Sequence, residues 1–93
     1  MKESDIQSKI IKLLERNNAY VVKVVSATKA GVPDILACYK GKFIAIEVKV
    51  PEKKDNTSEL QKYNLRKINE SGGLAIVAWN EDMINEFLKS VIL

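Results

Sequence analysis

GVPDILACYKGKFIAIEVK, residues 31–49, reads as two strands joined by a tight turn, and this reading decides the fold. Successive side chains of a strand point to opposite faces. In the second strand, Phe43, Ala45, Glu47 and Lys49 share one face, and Ile44, Ile46 and Val48 share the other. A strand apolar on both sides is central and covered twice. Glu47 and Lys49 thus extend a covered face. In the first strand Asp34, Leu36 and Cys38 share a face. Lys40-Gly41-Lys42 places glycine where a short hairpin connection prefers it. Pro33 biases Val32 toward an extended conformation.

Three charged groups therefore sit at the ends of an apolar hairpin. Taken singly, Asp34 reads as a loop cap, and Glu47 and Lys49 as edge charges. Taken together they point to a partner, because an unpaired buried charge is expensive. Two carboxylates on adjacent strand ends suit a divalent cation.

Composition limits what that cation is and what chemistry is open. There is no histidine and a single cysteine, Cys38. This excludes a Zn site of the usual kind, a Ser-His-Asp triad and histidine general-base chemistry. A metal here must be hard and oxygen-bound, Mg²⁺ or Mn²⁺. Cys38 is expected to be a small core residue in a reducing cytoplasm. Ninety-three residues make one domain, 1–93, with a modest core that buries roughly 60–65% of the unfolded surface. No apolar run approaches the ~18 residues of a membrane span. The opening Met1-Lys2-Glu3-Ser4-Asp5 turns polar at once, unlike a secretory signal.

The net charge of +3 permits nucleic-acid binding without establishing it. Its distribution says more. Lys23, Lys29, Lys40, Lys42, Lys49, Lys53 and Lys54 gather around the hairpin and its flanking loops.

Outward from the hairpin, residues 3–17 read as a helix with Ile6, Ile10, Leu13 and Leu14 at helical spacing. Ser4 and Gln7 fit a capping box. Glu3 and Gln7 line up with Ile10 and Leu14, so Glu3 reads either as a solvated first-turn acid or as one that reaches the core edge. Tyr20 to Val25 is a β-branched first strand. Pro51 to Asn56 is a charged loop. Ser58 and Gln61 form a second capping box at the start of a helix that Gly72-Gly73 terminates. Gln61 shares a stripe with Leu65 and Ile68. It is either a helix-capping glutamine or a polar residue at a core-facing position. Leu74 to Trp79 is fully apolar and expected to be an internal strand, parallel to 43–49 after the helical crossover. Asn80 caps a last helix to about Ser90. The order α-β-β-β-α-β-α gives an α/β fold: a mixed four-stranded sheet flanked by helices, plus a C-terminal helix.

Pro33-Asp34 followed by Glu47-Val48-Lys49 on a hairpin resembles the PD-(D/E)XK nuclease superfamily with its restriction-endonuclease-like core. Gly31 before the motif, Gln61 on the following helix, and Glu3 in an E-x-x-I-Q context narrow this resemblance to the VRR-NUC (virus-type replication-repair nuclease) family. Small stand-alone members of that family occur in phages and bacteria and are similar to Holliday junction resolvases in fold and dimeric habit. The resemblance implies metal ligation by Asp34 and Glu47, with the Val48 carbonyl as a backbone ligand and Glu3 completing the cluster directly or through water. It implies that Lys49 positions or activates the attacking water, and that Gln61 orients that water or the scissile phosphate. It implies a Mg²⁺-dependent DNA endonuclease, with Mn²⁺ substituting, without an organic cofactor. A nuclease-like binding module without catalysis is the alternative.

Lys23, Lys29, Lys53 and Lys54 are expected to contact phosphates near the site. A homodimer on branched DNA is expected on three grounds. The core is small. The segment Phe87 to Leu93 ends in apolar residues that mark an interface if exposed. Resolving a four-way junction takes two symmetric cuts, which a two-fold dimer supplies.

Overall fold

The hairpin strands are β2 (Ile35–Tyr39) and β3 (Lys42–Val48), in a computed structural model that describes residues 1–91. Between them lie only Lys40 and Gly41, with φ of 49° and 79°. Two consecutive positive-φ residues are what a type I′ turn requires, and its twist matches that of the strands it joins. The pairing runs Ile35↔Ile46, Ala37↔Ile44 and Tyr39↔Lys42. Before the hairpin come α1 (Glu3–Arg16) and β1 (Tyr20–Lys23). After it come a 3₁₀ turn (Pro51–Lys53), α2 (Glu59–Glu70), β4 (Leu74–Ala78) and α3 (Glu81–Val91). The sheet order is β1-β2-β3-β4, antiparallel except for β3 and β4, which pair in parallel across the α2 crossover. The mixed sheet, its hairpin and the parallel pairing of β4 with β3 agree with the sequence reading.

Each helix end has a local cause. Asn18, at φ 66°, ends α1 with bonds from its own N–H to the Glu15 carbonyl and from Ala19 N–H to the Leu14 carbonyl. Gly72 and Gly73 close α2 in the same double-bonded way on Asn69 and Ile68, with Gly72 at φ 96°. The Asn80 side chain accepts from Met83 N–H at 2.9 Å and starts α3. The expected Ser4–Gln7 cap is not formed. Asp5 accepts from Lys2 N–H at 3.1 Å instead, which starts the helix two residues earlier and turns Gln7 into the interior.

The main core lies on one face of the sheet. Ile6, Ile10, Leu13 and Leu14 of α1 and Ile84, Leu88 and Val91 of α3 pack onto Ile35, Ala37, Tyr39, Ile44, Ile46 and Val48. Each large aliphatic side chain buried there contributes about 1.5–3 kcal/mol. The second face carries Tyr20, Val22, Leu36, Cys38, Phe43, Ala45 and Glu47. There α2 lies over β4 and β3 and leaves β1 and β2 bare of helix.

That placement corrects three expectations. Cys38 is exposed rather than part of the core, because α2 does not reach over β2. β4 is an edge strand, not an internal one. Its apolar sequence reports helices above and below it, not a neighbour on each side. The segment from Phe87 is not an exposed patch: Leu88 and Val91 are buried against the chain's own core and Phe87 packs beside them. Ile92 and Leu93, the last part of that expectation, lie outside the described residues.

Candidate functional site

Asp34 stands immediately before β2, after a fully buried Pro33. Its carbonyl accepts from Val24 N–H at 2.8 Å, which extends the β1–β2 ladder to this point. Its carboxylate oxygen Oδ2 accepts from Val48 N–H, also at 2.8 Å. The acid is therefore anchored across the hairpin to the end of β3, and one carboxylate oxygen faces away from that bond.

Among the described residues Glu47 is the only buried acid, 3% exposed. Its Oε2 accepts from Gln61 Nε2 at 3.2 Å and lies 3.9 Å from Lys49 Nζ. Lys49 Nζ donates to Gln61 Oε1 at 3.1 Å. The same Oε1 accepts from Ser58 N–H at 2.9 Å, while Gln61 N–H donates to Ser58 Oγ at 3.1 Å. Gln61 thus fills both roles the sequence left open. It caps α2, and its amide bridges the acid and the base of the hairpin. The cap fixes the amide's orientation: its oxygen meets the two nitrogen donors, so its nitrogen must face Glu47.

The electrostatics follow from this crowding. The Glu47 carboxyl is pushed up to about 8. Burial is the largest cause, followed by the negative charge of Asp34 and a hydrogen bond to it; Lys49 opposes the shift and Glu3 adds a little to it. A carboxyl raised this far by burial and a like charge, beside a lysine, is the environment expected of a functional site. Glu3, at the exposed start of α1, is near enough for its charge to be felt by Glu47.

Among the described residues, no third acid, histidine or cysteine joins Asp34 and Glu47 closely enough to complete a protein cage around an ion. The donors present are carboxylate and backbone oxygens. That set fits Mg²⁺, which keeps much of its water and uses one or two carboxylates together with substrate phosphate oxygens. It suits neither Zn²⁺ nor a Ca²⁺ cage.

The predicted phosphate-binding lysines separate into two groups. Lys23 ends β1 beside Asp34, and Lys53 and Lys54 follow β3, with Lys54 Nζ 5.4 Å from the centre of the Trp79 ring. All three are at the site end of the sheet. Lys29 is not. The loop after β1 folds back along α2 and carries Lys29 to a cavity beside Gly41, Lys42 and Phe43, at the other end of the hairpin. Asn64 holds the loop there through a bond from its Nδ2 to the Ala30 carbonyl at 3.1 Å. Gln7, expected to cap α1 with Ser4, is instead buried at 7% exposure within the apolar stripe of that helix.

The family model for archaeal Holliday junction resolvases (Hjc) matches residues 2–88. Among solved structures, one described as "VRR_NUC domain" superposes with a TM-score of 0.75 at 21% identity, covering 94% of this chain and 94% of that one. Another, "VRR_NUC domain protein", gives a TM-score of 0.76 at 17% identity, covering 97% of this chain and 87% of that one. These likenesses show the fold. No curated protein gives a significant match.

Proposed function

Because the chain belongs to the archaeal Holliday junction resolvase family, we propose that it is a Mg²⁺-dependent endonuclease that hydrolyses phosphodiester bonds of branched DNA. The observation that carries this reading is the closed circuit of Glu47 and Lys49 at the end of β3 with Gln61 of α2, and Asp34 anchored beside it on the Val48 N–H. Asp34 and Glu47 would hold the cation, with the Val48 carbonyl beside them and Glu3 at the perimeter. When bound, the cation supplies Lewis-acid stabilisation of the phosphate and a template for its attack by water.

The remaining work falls to the chain's own groups. Lys49, only 14% exposed at its side chain, offers a fixed positive charge where negative charge develops. Gln61 holds Lys49 and Glu47 in register and presents the amide that orients water or phosphate. Lys23, Lys53 and Lys54 supply phosphate contacts at this end of the sheet.

Two symmetric cuts call for two such sites, and we place them in a homodimer. Exposed apolar residues, Tyr20 at 75% on β1 and Val25 at 86% just beyond its end, support a subunit contact there rather than through Phe87 to Val91. The lone cysteine suits a reducing cytoplasm. No described helix is long and apolar enough to cross a membrane.

The test is cleavage of labelled four-way junction, flap, nicked and linear duplexes with Mg²⁺, with Mn²⁺ and with chelator. Metal-dependent paired cuts in the junction are expected. Tight junction binding with no cleavage under any metal would favour the alternative of a binding module. Equal rates on junction and linear duplex would reduce the activity to general nuclease chemistry. Sedimentation equilibrium tests the dimer, and a 10.5 kDa monomer on junction DNA would defeat it.

A further inference from the structure

The cavity at the far end of the hairpin has a volume of about 590 Å³ and is lined by Lys29, Lys42 and Lys67 around Phe43. It lies on the same sheet face as Glu47. Phe43 and Glu47 are four residues apart on β3, so about 13 Å of strand separates cavity from site. No acid lines the cavity. Lys67 has Glu70 at 4.0 Å, a solvent-exposed pair of little strength.

The lining is built rather than incidental. Gly73 has no side chain, and a Cβ there would come within 3.0 Å of Phe43 Cδ2 and 2.8 Å of Ile68 Cγ2. The phenyl ring therefore lies close against Gly73 in the α2–β4 connection, with 48% of the residue open to solvent. Lys29 is brought in by the returning loop. Gly31 in that loop has φ 80°, and a Cβ on it would meet Leu60 Cγ at 2.9 Å. With the Asn64 bond to Ala30, this close packing sets where Lys29 stands.

We infer that this cavity is a second nucleotide-binding site, in which the lysines hold a DNA phosphate and Phe43 stacks on an unpaired base. Charge complementarity selects the occupant: three cations with no lining acid suit a polyanion, and a half-exposed aromatic ring among them suits a base. Along one strand of a duplex a phosphate occurs about every 3.4 Å of axis, so ~13 Å places the stacked base roughly four nucleotides from the scissile phosphate. A flap, or a branch point with its central pairs opened, supplies unpaired bases that a continuous duplex does not. The inference rests on the nuclease reading of the Asp34–Glu47 site, and names how that site would come to prefer branched substrates.

The full chain carrying Lys42→Ala, Phe43→Ala, Phe43→Leu or Phe43→Tyr tests it. Equilibrium binding is measured in chelator to a single strand of about ten nucleotides, which reaches across the ~13 Å, and to a dinucleotide, which does not. For the long strand, Phe43→Ala and Phe43→Leu should weaken binding about tenfold, with Phe43→Tyr restoring it, as loss and return of one stacked base would do. Lys42→Ala should weaken it several-fold and flatten the salt dependence by about one unit. Dinucleotide binding, which the cavity alone can support, should fall with the same substitutions. Unchanged long-strand binding overturns the inference. So does Phe43→Leu binding as well as the parent chain. A Phe43 variant that sediments as a smaller species than the parent also overturns it, since the ring would then belong to a subunit contact. Cleavage is read separately: a parent chain that cuts no DNA with Mg²⁺ or Mn²⁺ sinks the nuclease reading, while the binding data still decide the cavity.

Discussion

The two ends of the face beneath α2 treat charge in opposite ways. At the site end, Asp34, Glu47 and Lys49 are satisfied within the chain, largely buried, and crowded enough to displace a carboxyl from its usual range. At the cavity end, Lys29 and Lys42 stand exposed around an open aromatic ring. Crowded, buried charge costs folding free energy and creates reactivity. Exposed charge costs the fold little and creates salt-dependent binding. The difference teaches that one helix over one sheet face can separate chemistry from grip.

Substitutions at the site end should break cleavage and spare the fold. Asp34→Asn and Glu47→Gln should each lower the rate by more than about 10³-fold, at or beyond the loss of one transition-state stabiliser. Full metal-dependent cleavage by either variant would end the assignment of these acids. Lys49→Ala should cost about 10²-fold in turnover yet retain Mn²⁺ affinity. If metal binding collapsed while turnover per bound metal survived, Lys49 would be a structural counter-ion.

The next effect is on stability. Glu47 has its carboxyl raised from 4.5 to about 8 in the metal-free fold. Between those values the folded chain holds a proton that the unfolded chain has released, so stability falls as pH rises through this window. The loss by pH 8 is on the order of a few kcal/mol. Denaturant unfolding of Glu47→Gln should show a flatter profile over the same range and a more stable chain at its upper end. An unchanged slope would mean that Glu47 is ionised in the fold already.

A smaller effect tests the loop that joins the two ends. Gly31→Ala meets both a left-handed backbone and a crowded Leu60, and should cost about 1–3 kcal/mol. Thermal unfolding checks this, and a stable variant would show that the loop's close packing is not required. The smallest effects belong to Lys23 and Lys54. Removing either should flatten the salt dependence of DNA affinity by about one unit without touching turnover on saturating substrate.

The sequence carried the hairpin plainly, because its signals are local. Gly41 sits in the turn, Pro33 precedes Asp34, and the apolar alternation around Glu47 fixes its face. Gln61 was legible too, since a cap at Ser58 and a place in the core stripe coincide on one residue. What could not be read depends on contacts distant in sequence. Alternation told which face Cys38 shares but not how far α2 extends over that face. The apolar run of β4 told of cover above and below, not of its place at the edge. Lys29 was expected near Asp34 because it is close in sequence, yet a bond between residues 34 positions apart takes it elsewhere.

The two-residue turn at Lys40 and Gly41 has a consequence for the order of assembly. A hairpin with so short a loop closes in about 1–10 μs, faster than any pairing that must wait for a crossover helix. The bond from Val48 N–H to Asp34 spans only 14 positions, so the two acids meet within the part of the chain that pairs first. Until α2 docks and brings Gln61, Glu47 and Asp34 face each other with Lys49 as their nearest counter-charge. On the proposed reading, a divalent cation present at that stage would bind a half-made site and favour its completion, and so would act as a folding ligand as well as a reagent.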